Sequence, residues 1–175
     1  MGNAASQHEF TMIAARKEAA LNALERVLQS HINSLALTPL LEDAFSYAVF
    51  PGGKRIRPIF TLLLCEDLGG QSEALVLPSA SIEILHCASL VHDDLPALDN
   101  DDMRRGRSST HKKFGEATAI LVADLMIASA PTAILASDYD SVIKTEMISL
   151  ISDAFKDLCI GHAYRDWETD RKSVV

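Results

Sequence analysis

The stretch Val91 to Arg107, VHDDLPALDNDDMRRGR, sets five carboxylates within ten residues against three arginines within four, directly after an apolar run. Carboxylates packed this closely repel one another and raise each other's pKa unless a cation sits among them. A hard divalent ion suits such a set of oxygen donors. The EF-hand alternative fails, because Asp99, Asp101 and Met103 supply the first, third and fifth loop positions but Gly106 falls at the eighth, where a calcium loop needs its glycine at the sixth. Magnesium, which takes a few carboxylates and completes its octahedron with water and phosphate oxygens, fits better.

On an unbroken helix Asp93 and Asp99, six residues apart, would point about 120° away from each other. Pro96 removes that objection, since a proline breaks the helix and lets the chain bring Asp99 back toward Asp93. Upstream, His86, Ser89 and Asp93 stand at i, i+3 and i+7 and share a helical face. Earlier still, Pro51-Gly52-Gly53-Lys54-Arg55-Ile56-Arg57-Pro58 is a glycine-rich turn that delivers Lys54 and Arg57 near a helix N-terminus, where free N–H groups also favour anions. Taken singly, an Asp or Arg run is usually solvated surface, a glycine-lysine turn is weak evidence, and a helical His is most often a satisfied core residue. Together, an acidic metal site, two adjoining arginines and a separate basic loop are what a protein needs to bind two diphosphates side by side.

The rest of the chain supplies a scaffold. With 175 residues and 48% hydrophobic content, it is about the size of one domain and can bury a real core. A formal net charge of −8 argues against general nucleic-acid binding, which needs a basic face to displace counterions. Cys65, Cys87 and Cys159 are far apart among apolar residues, which predicts reduced intracellular thiols filling the core and a cytoplasmic protein. No charged-then-apolar leader opens the chain, although Met1 to Ser6 matches the short myristoylation pattern at Gly2. The one membrane-like stretch, Ala117 to Ala136, contains Asp124 and Pro131, so a buried helix is expected and no stable membrane span.

Apolar residues at three- and four-residue spacing from Phe10 to Leu28 predict a first amphipathic helix. Thr38-Pro39 is an N-cap with proline at the first helical position, opening a second that Pro51-Gly52-Gly53 ends. Ile56 to Leu68, closed by Gly69-Gly70, predicts a third. Pro78 is expected to open a fourth from Ser79 to His92, and periodic segments from Ala117 to Ala136 and Ser141 to Cys159 predict two more. The expected fold is all-α, a bundle of about six helices joined by short loops.

The ordered set GGKRIRP, ILHCASLVHDDLPALDNDDMRRG and THKKFGEATAIL resembles the N-terminal half of the trans-isoprenyl diphosphate synthases, the group containing farnesyl and geranylgeranyl diphosphate synthases, over roughly Leu40 to Ala136. The resemblance implies the N-terminal part of the isoprenoid synthase fold and a prenyltransferase that condenses isopentenyl diphosphate head-to-tail onto an allylic diphosphate. It implies Mg2+ held by Asp93 and Asp99, with Asp94 assisting, against the allylic diphosphate. It also implies Arg104 on the allylic diphosphate, Lys54, Arg57, His86 and Arg105 on isopentenyl diphosphate, and a homodimer at full length. Chain length in this group is set by side chains just before the first aspartate motif. Ala88 and Ser89, five and four positions before Asp93, are both small, which predicts a pocket open to geranylgeranyl product, farnesyl being the shorter alternative, and shortened by Phe or Tyr at position 88.

The chain also departs from the pattern. The family's second aspartate-rich motif and the lysines it carries on later helices are absent, His162 stands where a glutamine is expected, and Arg165 where an aspartate is. The tail RDWETDRKSVV lacks apolar periodicity, and its last six residues can be written GAT CGG AAG AGC GTC GTG, the reading of a common sequencing adapter. The expectation is therefore a truncated polyprenyl synthetase domain over residues 1–160, a tail from 161 to 175 outside the family, and little or no activity for this chain by itself. Two other classes stay open: a non-catalytic helical accessory subunit that complements a partner synthase, and a structural bundle whose charges are merely surface.

Overall fold

Ala20, Leu24, Leu28 and Ile32 recur at every fourth position, which lays them along one face of a helix, and all four are buried. That helix, α1 (Gly2–Ser34), is the first of seven among the described residues. The computed structural model describes residues 2–173, with side chains for residues 7, 8 and 10–163. After α1 come α2 (Pro39–Val49), α3 (Ile56–Asp67), α4 (Ser72–Asp93), a hairpin of β1 (Met103–Arg104) and β2 (Arg107–Ser108), α5 (Thr110–Phe114), α6 (Glu116–Leu135) and α7 (Ser141–Ser173). Met1 and the side chains of residues 2–6, which carry the myristoylation pattern, and the side chains of the tail from residue 164 lie outside the described residues.

The central pair is α4 against α6. Ala80, Ile84, Cys87, Ala88 and Val91 of α4 meet Ala119, Val122, Ala123, Met126 and Ala130 of α6 in one buried cluster, joined by Leu24, Leu28 and Ile32 of α1 and Ala44, Phe45 and Val49 of α2. The many alanines let the two helix backbones approach closely, and each fully buried Leu, Ile or Phe contributes about 1.5–3 kcal/mol by leaving water. Arg16 adds an outer tie, its guanidinium bonding Glu66 at 2.8 Å and Asp67 at 2.7 Å across the end of α3.

Several expectations are corrected. Pro78 does not open α4 but lies inside it; the turn ahead of it is kept because Val76 packs against Ala20 and Leu62, outweighing the missing N–H. α5 and the hairpin were not expected, being too short to show any periodicity. α7 runs past Cys159 to Ser173 as one helix. Cys159 is exposed and Cys65 half-buried, so Cys87 alone of the three is core filler. By length and composition α4, as well as α6, is apolar enough to cross a membrane; in both, the apolar face is packed in the core.

Candidate functional site

The glycine-rich turn between α2 and α3 does form a basic cavity, of about 570 Å³, lined by Gly52, Gly53, Lys54, Arg55, Arg57, Glu83, His86 and Arg105. Three chain segments meet there: the turn itself, α4 through His86, and the hairpin through Arg105. The hairpin turn has positive φ at both central residues, 54° at Arg105 and 79° at Gly106, the geometry that matches strand twist in a two-residue loop. It seats Arg105 against the turn so closely that a Cβ on Gly53 would lie 2.8 Å from Arg105 Nη2. Burial, reinforced by the charge of Arg57, holds the His86 imidazole below the ordinary histidine range; Glu83 pulls the other way and Arg105 adds to the lowering. His86 is thus neutral near pH 7, with an anion's arrival favouring its protonation.

At the other end of α4 the helix stops at Asp93 and the chain turns back. The N–H of Asp99 donates to the carbonyl of Asp93 at 2.8 Å, that of Asn100 to Leu95 at 3.1 Å and that of Asp101 to Asp94 at 3.2 Å, with Asn100 at φ 52° making the reversal. Asp93 and Asp99 are thereby joined through their backbones. The Asp93 carboxylate also meets His162 Nδ1 of α7 at 3.1 Å. Asp94 is differently placed: it is buried, and Arg104 holds it through Nε at 3.0 and 3.2 Å and through a second bond from Nη2 to Oδ1. Arg104 also approaches Asp101 at 3.4 Å, and the pairing with Asp94 raises its pKa further. Among the described residues no three His, Cys, Asp or Glu side chains lie close enough to hold one ion.

The hairpin is clasped to α2 by Tyr47. Its ring carries Arg107 on one contact at 3.7 Å and Lys113 on another at 3.8 Å, and its hydroxyl donates to the Ser108 carbonyl at 2.8 Å. Arg107 in turn donates to the Tyr47 carbonyl.

Between the basic and acidic ends runs a trough shared by α4 and α7. One cavity of about 310 Å³ is lined by Arg57, Ile82, Leu85, His86, Leu150, Ile151, Ala154, Phe155 and Leu158. The next, of about 290 Å³, takes in Ser89, His92, Asp93, Leu98, Phe155, Leu158, Cys159 and His162. Ser89 therefore lines the trough below Asp93. Ala88 does not: it is fully buried in the cluster facing α6, so the two positions expected to shape one pocket lie on different surfaces of α4.

Sequence reading missed Arg55, Tyr47 and the trough wall from α7. For Arg55 a signal existed: Glu83 is the one acid in the apolar run from Ser79 to His92, and a carboxylate in such a run needs a buried partner.

Comparison with known proteins follows the same lines. The family model for polyprenyl synthetase matches residues 38–174. The farnesyl diphosphate synthase of Micrococcus luteus is 44% identical over 114 residues, covering 65% of this chain and 39% of that protein. The chloroplastic geranylgeranyl pyrophosphate synthase of Catharanthus roseus is 37% identical over 142 residues, 80% of this chain and 38% of that one. The crystal structure of the geranyltransferase from Legionella pneumophila superposes with a TM-score of 0.69 at 42% identity, over 73% of this chain and 45% of that chain. The chain thus spans well under half the length of these curated relatives. With the motifs, the all-α fold of the matched structure and the family model agreeing over most of its length, the chain belongs to the polyprenyl synthetase family.

Proposed function

We propose that the chain carries the diphosphate-binding half of a prenyltransferase that condenses isopentenyl diphosphate head-to-tail onto an allylic diphosphate, with geranylgeranyl diphosphate favoured over farnesyl as product. One observation carries this reading: Lys54, Arg57, His86 and Arg105 line one cavity, Asp93 and Asp99 sit together at the far end of the same helix, and an apolar trough joins the two ends. In this reading the basic cavity holds isopentenyl diphosphate and Arg104 faces the allylic diphosphate. Both relatives named above are prenyl diphosphate synthases by name.

Asp93 and Asp99 suit Mg2+, since two hard carboxylates with the remaining positions left to water and diphosphate oxygens are what that ion takes. Bound there it would supply positive charge that stabilises the departing pyrophosphate. Asp94 is committed to Arg104 and would act by fixing that arginine. In the reaction, the bond between the allylic carbon and its diphosphate oxygen breaks with the electron pair leaving on oxygen. The isopentenyl double bond then attacks the allylic cation, and the resulting cation loses a proton to the released pyrophosphate, restoring a double bond. Arg104 offsets the charge on the leaving group, while the walls of Leu85, Phe155 and Leu158 keep water from the cation.

The test is incubation of the chain with Mg2+, isopentenyl diphosphate and dimethylallyl, geranyl or farnesyl diphosphate, with Asp93→Ala as control. Longer prenyl diphosphates that vanish in the control are the expected result. No product, together with pyrophosphate binding that depends on Lys54, would turn the reading to a binding subunit that needs a partner to complete the site.

A further inference from the structure

Arg55 stands between Lys54 and Arg57, yet its guanidinium does not present itself to an incoming anion. Its side chain is 0% exposed and all of its directions are taken. Nη1 donates to Glu83 of α4 at 2.7 Å, Nε to Glu25 of α1 at 2.9 Å and Nη2 to the Val49 carbonyl at the end of α2 at 2.8 Å. The Phe50 ring lies under the guanidinium, its centroid 5.7 Å from Cζ. One side chain thus ties the basic turn to three helices. Its backbone, at φ 49°, adopts the left-handed conformation that residues other than glycine enter only when their surroundings impose it. Two acids, Glu83 and Glu25, more than offset its single positive charge, and among the charges that lower the His86 pKa it ranks behind Arg57 and Arg105.

The consequence lies in what Arg55 aligns. Glu83 precedes His86 by three residues on α4, so the bond that anchors the turn also sets its height against the helical face carrying His86. Lys54 and Arg57, on either side of the anchored residue, are held in one place with their charges directed at the same cavity. Without the anchor, a loop bearing two glycines and three cations would have to be ordered by the ligand, and that entropy would be subtracted from affinity. We infer that Arg55 is a positioning residue for the diphosphate site, acting through Glu83 to hold Lys54 and Arg57 in their binding arrangement before the ligand arrives. This rests on reading the basic cavity as a diphosphate site.

Inorganic pyrophosphate is the probe. Its affinity for the full chain would be measured by calorimetry for the wild type, Arg55→Lys, Glu83→Gln and Lys54→Ala. The temperature is one at which all of them show matching far-UV circular dichroism, and backbone hydrogen exchange is followed over residues 52–57. Arg55→Lys and Glu83→Gln are expected to bind on the order of tenfold more weakly, within the range that a misplaced contact costs, with faster exchange in the turn. Lys54→Ala is expected to lose affinity with exchange unchanged. Phe45→Leu, a core change on α2 that lowers stability without touching Arg55, is expected to bind like the wild type. Should the inner variants not fold, Glu25→Gln removes only the outer partner, whose side chain is 32% exposed, and is expected to show the same pattern in milder form. Wild-type affinity in a folded Arg55→Lys or Glu25→Gln would overturn the inference. A wild type whose pyrophosphate binding ignores Lys54 would instead overturn the reading of the cavity itself.

Discussion

The N–H of Asp99 donates to the carbonyl oxygen of Asp93 at 2.8 Å, so two residues six apart in sequence set their carboxylates out from adjoining points at the end of α4. Asp94, between them, points elsewhere and is consumed by Arg104. Mn2+, read by electron paramagnetic resonance as a stand-in for Mg2+, separates these roles. Asp93→Asn and Asp99→Asn are each expected to weaken Mn2+ binding by on the order of tenfold or more. Asp94→Asn is expected to act mainly on stability, by about 2 kcal/mol, since it removes charge-assisted bonds to an arginine that can still reach water. Unchanged Mn2+ binding in Asp93→Asn would refute this placement of the metal.

Ala88 and Ser89 predict opposite outcomes for the same change. Ser89→Phe projects into the trough below Asp93 and is expected to leave the melting temperature nearly unchanged while shortening the longest product. Ala88→Phe forces a ring into the fully packed α4–α6 cluster and is expected to cost about 1–3 kcal/mol. Thermal melts and product chromatography on the two variants test this. A shortened product from a stable Ala88→Phe protein would mean that position 88 faces the substrate after all.

The three thiols are expected to differ in rate. Burial first, and the Glu83 charge second, push the Cys87 thiol up to about 11 against the opposing charges of Arg55 and Arg105, which leaves almost no thiolate at pH 8. A thiol reagent added to the native protein at that pH should label exposed Cys159 first, half-buried Cys65 more slowly and Cys87 only after unfolding. Peptide mapping of the labelled chain gives the order directly.

Acidification should weaken the fold through two histidines. Burial holds His31 below its ordinary 6.5, and burial with the charge of Arg57 does the same for His86. Just below pH 6.5 the unfolded chain therefore binds more protons than the native one. Their stabilising effect is complete above pH 6.5 and is lost as the pH falls below it. Urea midpoints measured between pH 7.5 and 5.5 should decline, and His31→Gln should flatten the decline; a midpoint that rises on acidification contradicts the assignment.

The glycine pair offers a separate check on the loop. A Cβ at Gly52 would lie 2.1 Å from Cζ of Arg55, and Arg55 has no free direction in which to retreat. Gly52→Ala is expected to cost about 3 kcal/mol in denaturant titrations. At Gly53 the obstruction is the end of Arg105, the same kind of side chain but exposed and able to move aside, so Gly53→Ala should cost less than about 1 kcal/mol while weakening pyrophosphate binding.

Six of the seven helices, and both charged motifs, were legible in the chain, because their signals are local. Apolar spacing in α1, the Thr38-Pro39 start of α2 and the break after Asp93 each depend on residues within a turn or two of one another. Packing decided everything that depends on a distant partner. Lys54, Arg55 and Arg57 look alike in a line of sequence; only Glu83, 28 residues further on, takes one of them out of the site and into the core. Asp93 and Asp94 look alike until Arg104 claims the second. Ala88 and Ser89 differ by about 100° around α4, and what lies in those two directions is set by where α6 and α7 come to rest. Periodicity reports that a helix has a buried face, whereas the identity of the neighbour filling that face is a long-range energetic outcome, written in no single stretch of the chain.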